Sequence, residues 1–142
     1  MSHRVAGIDI PVGDKGLARL GDALVNLVFS YAKTRVKGRP FGEKVPDRVL
    51  SRALELSKMP FPRRLSHGER GDYVEAIIAY SWMRGLLPFE EAVATLTSEM
   101  SLSEAVSESR GMEREAAARG FSRLLLLCVE RVKSRGAGGE RQ

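Results

Sequence analysis

Cysteine, histidine and the side-chain amides are nearly missing from this chain. Cys128 is the sole cysteine, which excludes an internal disulfide and makes cytoplasm the expected compartment. Together with only two histidines, His3 and His67, it leaves too few ligands for a zinc site. The same scarcity argues against a Ser-His-Asp hydrolase, and His67 beside Ser66 reads as a surface loop residue because nothing orients it. Asn26 and Gln142 are the only side-chain amides, and that depletion, alongside many Arg and Glu, is a thermophile's composition. No apolar run reaches the roughly 20 residues needed to cross a bilayer, and no basic-apolar-small pattern opens the chain, so neither membrane span nor secretory leader is expected. Leu124–Leu127 is bracketed by Arg123, Glu130 and Arg131 and reads as a buried helix face.

What is present is helix-forming. The 142 residues, 43% hydrophobic and 29% charged, suit one globular domain with its own core. Apolar spacing predicts a helix from about 14 to 36, with Asp14 as N-cap, then a basic loop to 45. Pro46 suits the first position of a second helix, through about 57. The run Met59–Arg64, with Pro60 and Pro62, is a connector. Further helices are expected over 71–84, over 88–97, and from the capping-box pattern Ser101–Glu104 to 133, with a break near Gly111. No strand pattern or repeat emerges. The expected fold is all-α: one helical domain over 1–133 and a disordered tail over 134–142.

The net charge of +5 is concentrated. Between Lys33 and Arg64 ten basic residues face three acids, Glu43, Asp47 and Glu55. Such a segment suits a polyanion, with phosphate backbones first among candidates; Lys33, Arg35, Lys37, Arg39, Lys44 and Arg48 are its expected contacts. A solvated charged surface is the alternative. Gly13-Asp14-Lys15-Gly16 lacks the spacing of a phosphate-binding loop.

Three carboxylates stand out because they interrupt the two most apolar stretches. Asp22 is the one charge in Leu20–Ala32, and Asp72 and Glu75 are the only charges in Asp72–Met83. Burying an ionised carboxylate costs several kcal/mol unless something compensates it. Asp72 and Glu75, three apart, project from one helix face. Oxygen-only ligands from two helices suit Mg²⁺ or Mn²⁺. Two structural readings remain open: Asp72 and Glu75 as a helix cap, and Asp22 as a buried partner of Arg19.

Leu20-Gly21-Asp22-Ala23-Leu24-Val25-Asn26-Leu27 resembles the signature helix of the ribonuclease III endonuclease domain, whose motif ends in Leu-Gly-Asp-Ala. Gly71-Asp72-Tyr73-Val74-Glu75-Ala76-Ile77-Ile78-Ala79 is similar to that family's second motif, Ala-Asp-x-x-Glu-Ala-Leu-Ile-Gly. The likeness covers about Leu17 to Glu91 and is nearest to compact archaeal proteins made of this domain alone, without a separate double-stranded-RNA-binding domain. It implies a ribonuclease III-like helical bundle and a homodimeric, Mg²⁺- or Mn²⁺-dependent endoribonuclease acting on double-stranded or structured RNA. Asp22, Asp72 and Glu75 match its metal-coordinating, catalytic acids. Ala18 departs from the pattern, standing where the family carries a glutamate, and Lys15 stands where another acid often occurs. Asp14, about 12 Å from Asp22 along the helix, is too far away to substitute, which leaves Glu43 or Glu69 as replacements. The departure also admits two alternatives: a catalytically inactive RNA-binding or assembly module with this fold, or a dimeric helical protein unrelated to RNA.

Overall fold

The computed structural model describes residues 3–106 and 109–139. Strands β1 (His3–Val5) and β2 (Ile8–Ile10) form an antiparallel hairpin, with Val5 opposite Ile8. Five helices follow: α1 (Lys15–Lys37), α2 (Asp47–Ser57), α3 (His67–Met83), α4 (Phe89–Val106) and α5 (Arg110–Gly139). The all-α expectation holds, with this hairpin as the addition. Its two-residue turn places Ala6 at φ 51° and Gly7 at φ 84°, a conformation matched to strand twist. Strands of three residues are too short for an alternating pattern to register in sequence.

Local chemistry sets most helix boundaries. Asp14 caps α1 by accepting the Leu17 amide, and Gly38 at φ 75° ends it. Pro46 is the N-cap of α2 rather than its first residue, so Asp47 opens that helix. The third helix begins four residues earlier than the apolar pattern predicts. Ser66 accepts the Glu69 amide while the Glu69 carboxylate accepts the Ser66 amide, a complete capping box. Ser101–Glu104 starts nothing: α4 runs through it, and Ser103 is buried there with its hydroxyl donating to the Met112 carbonyl. α5 continues to Gly139, beyond the Lys133 boundary read from the sequence, and 140–142 lie outside the described residues.

The bundle is built around α3, whose residues Tyr73–Ala79 are all buried. α1 and α2 pack on it directly, α4 packs on α1, and α5 closes the core against α2, α3 and α4. Ile77 and Ile78 meet a core that includes Val25, Leu54, Leu96, Phe121, Leu124 and Leu125. Cys128 lies in that core, where burial pushes its thiol up to about 11 and keeps it inert. Leu20, Leu27 and Tyr31 remain exposed along α1. Among the described residues no helix is long and apolar enough to cross a membrane.

Candidate functional site

A glycine brings the two acid-bearing helices into contact. A Cβ on Gly21 would fall 2.1 Å from the carbonyl oxygen of Glu75 and 2.8 Å from its Cβ. Only a residue without a side chain lets α1 approach α3 this closely. Its neighbour Asp22 is thereby set against Glu75, within hydrogen-bond reach of its carboxyl group. The Gly-Asp pair thus has one physical role: the glycine sets the helix separation and the aspartate uses it.

Asp22 is half-buried and has no arginine within ion-pair distance among the described residues. Besides Glu75 it meets Asn26, one turn on, whose side-chain amide donates to Asp22 Oδ1 over 3.2 Å. The Asn26 side-chain oxygen Oδ1 accepts the backbone amide of Val45 at 2.8 Å. The chain's single asparagine therefore ties Asp22 to the segment leading into α2. This removes the Arg19 reading.

The cap reading of Asp72 and Glu75 goes too, because Ser66 and Glu69 already perform that function and both acids lie beyond the first turn of α3. Their environments differ. Glu75 is 5% exposed, whereas Asp72 is solvent-exposed, so the expectation of three buried carboxylates applies fully to Glu75 alone. Asp22, Asp72 and Glu75 line one open cleft, joined there by Glu69 and by Asp47 at the head of α2. Lys15, Arg19 and Lys44 stand on the same walls. The cleft encloses about 540 Å³, room for several waters at ~30 Å³ each.

In the sequence Asp47 is one acid in a basic segment, and nothing local marks it. Its signal is tertiary: α2 delivers it over the glycines of α3. Its Oδ1 lies 3.3 Å from where a Gly71 Cβ would be, and its Oδ2 3.8 Å from that of Gly68.

Crowding of like charges shapes the electrostatics. Burial, then the Asp22 carboxyl, then the charges of Asp72 and Asp47, push Glu75 up to about 9. Glu75 therefore holds a proton at neutral pH unless a cation displaces it. Asp72, exposed overall, is raised by partial desolvation of its carboxyl group and by the charges of Asp47, Asp22 and Glu69. Glu69 moves the other way, held down by its hydrogen bonds with Ser66.

The six basic residues expected to bind RNA divide into two groups. Lys33 is buried, its ammonium 2.7 Å from Glu43 and 3.0 Å from Glu113. Burial alone would lower it, but those two acids outweigh burial and hold it above the ordinary lysine value. Arg35 pairs with Glu90 and Lys37 with Glu104. These three charges are committed within the fold. Arg39 rests on the Phe41 ring, while Lys44 and Arg48 are exposed, and among the described residues none of these three is in an ion pair. Glu43, one expected replacement for the acid missing at position 18, is tied to Lys33 instead. His67 is exposed but not idle, since its Nδ1 lies 2.9 Å from the Ser51 hydroxyl.

As they stand, no three acidic, histidine or cysteine side chains among the described residues are grouped to hold a metal ion. The donor set is nevertheless all oxygen, which fits a hard divalent cation. The carboxyl groups of Asp22, Asp72 and Glu75 are the groups that would meet such a cation.

No curated protein matches the chain. A family model described as Ribonuclease III matches residues 15–134, from the start of α1 through most of α5. That span includes every acid in the cleft. Members of the family cleave RNA as endoribonucleases and generally use divalent metal ions. The chain belongs to the ribonuclease III family.

Proposed function

We propose that this chain is a Mg²⁺- or Mn²⁺-dependent endoribonuclease that hydrolyses phosphodiester bonds in double-stranded or structured RNA. The observation that carries this is the convergence of Asp22 and Glu75 through the Gly21 contact, with Asp72 in the same cleft. Asp22, Asp72 and Glu75 would hold the cation. Bound there, it supplies charge neutralisation at the scissile phosphate and lowers the pKa of an attacking water.

The chain's own groups do the rest. Asn26 fixes the orientation of Asp22. Glu75 would hold the cation as a carboxylate, so loading would be coupled to pH. Lys15, Arg19 and Lys44 offer positive charge to the phosphates flanking the cleft, and Arg39 and Arg48 extend that surface. Duplex RNA is read chiefly by shape and backbone, which suits cations placed around an acidic cleft.

Two copies acting together would place two clefts along one duplex. The exposed Leu20, Leu27 and Tyr31 on α1 support such a homodimer. A cytoplasmic setting fits the single buried thiol.

Incubation with duplex RNA and Mg²⁺, beside an Asp22→Asn variant, tests the reading. Cleavage abolished in the variant is the expected result. Ala18 favours one competitor, an inactive RNA-binding module. Equal RNA binding without cleavage by either protein would establish that competitor.

A further inference from the structure

The connector between α2 and α3 builds a cavity that the cleft does not use. Ser57 holds the turn that ends α2, its hydroxyl donating to the Leu54 carbonyl and accepting the Met59 amide. Pro60 and Pro62 then stiffen the path toward α3. Between this connector and the start of α3 lies an open cavity of about 620 Å³. Lys58, Arg63 and Arg70 line it with positive charge, Phe61 supplies a ring, and no acid lines it.

Two of these cations are held in ways that folding alone does not call for. Lys58 caps the C-terminus of α2 at φ 59°, a left-handed conformation that strains any residue with a β-carbon. Gly38 fills the same role on α1, at φ 75°, without that strain. A lysine thus stands where the backbone favours glycine, and its side chain is exposed, with no ion pair among the described residues. The Arg70 guanidinium lies 5.1 Å from the centre of the Phe61 ring, with Nη1 3.4 Å from the Ser51 hydroxyl. Its Nε is buried and has no hydrogen-bond partner among the described residues. Lys33, Arg35, Lys37 and Arg52, by contrast, all face acids.

We propose that Lys58, Arg63 and Arg70 form a phosphate pocket that holds the RNA backbone outside the cleft. The proposal rests on the RNA-cleaving reading above and adds an anchoring point for its substrate. Cations without acids attract a phosphodiester, and a guanidinium can offer two N–H groups to one phosphate, the unpartnered Nε among them. The position argues for a strand that also meets the cleft. Glu69 lines the cleft and Arg70, the next residue, lines the pocket, so both openings flank one turn of α3. The competing account is that Arg70 only props α3 against Phe61 and Ser51, and that Lys58 and Arg63 are solvated surface.

Duplex RNA binding by the full chain in chelator, followed by fluorescence anisotropy across a salt series, separates these. Combining Lys58→Gly with Arg63→Ser should weaken binding about tenfold at low salt and reduce the slope of log affinity against log salt by about 1–2. The thermal unfolding temperature of that double variant should not fall, because glycine relieves position 58, so lost affinity is not a lost fold. Arg70→Lys keeps the charge but loses the paired N–H groups, and should weaken binding about fivefold, the loss of one hydrogen bond. Lys133→Ser, which removes an exposed charge from the far end of α5, should change affinity less than about twofold. Affinity and salt slope unchanged in the double variant, with cleavage lost in Asp22→Asn, would overturn the pocket and leave the nuclease reading standing. No duplex RNA bound by the parent at low salt would overturn both. Inorganic phosphate titrated by calorimetry is the second arm. A phosphate response lost in the double variant, with RNA affinity unchanged, would give the pocket to a small phosphorylated ligand and overturn the RNA contact.

Discussion

Gly21 and Glu75 form the tightest backbone approach among the described glycines, and the pair decides what each neighbour can do. An alanine at 21 would place its Cβ inside the Glu75 carbonyl, and backbone cannot swing aside as a flexible side chain can. Gly21→Ala should therefore force α1 away from α3, at a cost of about 3 kcal/mol, near the upper end of ordinary overpacking. Thermal unfolding should show this, together with weakened Mn²⁺ binding because Asp22 moves with the helix. Glu75 supports a second test at this scale. Below the ordinary carboxylate range both folded and unfolded chains carry its proton. Between that range and about 9 the unfolded chain has released it while the native metal-free protein retains it. The native state then binds more protons, so its stability falls as pH rises through this window and levels off above it. In chelator, Glu75→Gln should flatten that decline and unfold at higher temperature than the parent near pH 8. An unaltered pH slope in the variant would show that Glu75 is not the group responsible.

At the scale of elements, the sequence was most legible where one helix writes its own ends. Asp14 and Gly38 bound α1 as expected because capping is a contact between near neighbours. Ser66 and Glu69 carry the same kind of signal for α3, but the surrounding prolines and glycines masked it. The resulting late start made Asp72 and Glu75 resemble caps. Ser101–Glu104 misled in the opposite direction, since packing of α4 on α5 carries the helix through a pattern that could have begun one. The acids at 22, 72 and 75 were legible because each interrupts an apolar run. Asp47 was not, because its place in the cleft depends on α2 crossing the glycines of α3, a relation absent from any local window. The basic segment shows the same limit: its charge could be counted, but partners such as Glu90, Glu104 and Glu113 lie far along the chain. Two substitutions should separate its halves. Lys33→Met leaves Glu43 and Glu113 facing each other and should cost about 2–3 kcal/mol, somewhat less than breaking a fully buried pair because Glu43 is partly exposed. Charge reversal at Arg48, exposed and without an ion pair, should leave the unfolding temperature within a degree or two and weaken duplex RNA binding. Affinity unchanged by that reversal would remove Arg48 from the RNA surface.

Across the whole molecule, α1 carries both the cleft residue Asp22 and, on a different face, the exposed apolar row Leu20, Leu27 and Tyr31. The proposed cation binding and the proposed self-association are therefore separable, although both would use one helix. Leu27 is 56% exposed, so replacing it removes little buried surface from the monomer. Leu27→Asp should leave unfolding in dilute solution nearly unchanged and leave Mn²⁺ affinity intact. A charge there would instead be desolvated against the partner's apolar row, a cost of several kcal/mol counted twice across a two-fold interface. Light scattering should then report a monomer, in place of the dimer proposed for the parent. The consequence for catalysis follows from geometry. A monomer offers one cleft, so a duplex should be nicked on one strand, whereas the paired clefts of a dimer cut both. Parent protein that is already monomeric at micromolar concentration, or a Leu27→Asp variant that still dimerises, would remove α1 as the interface.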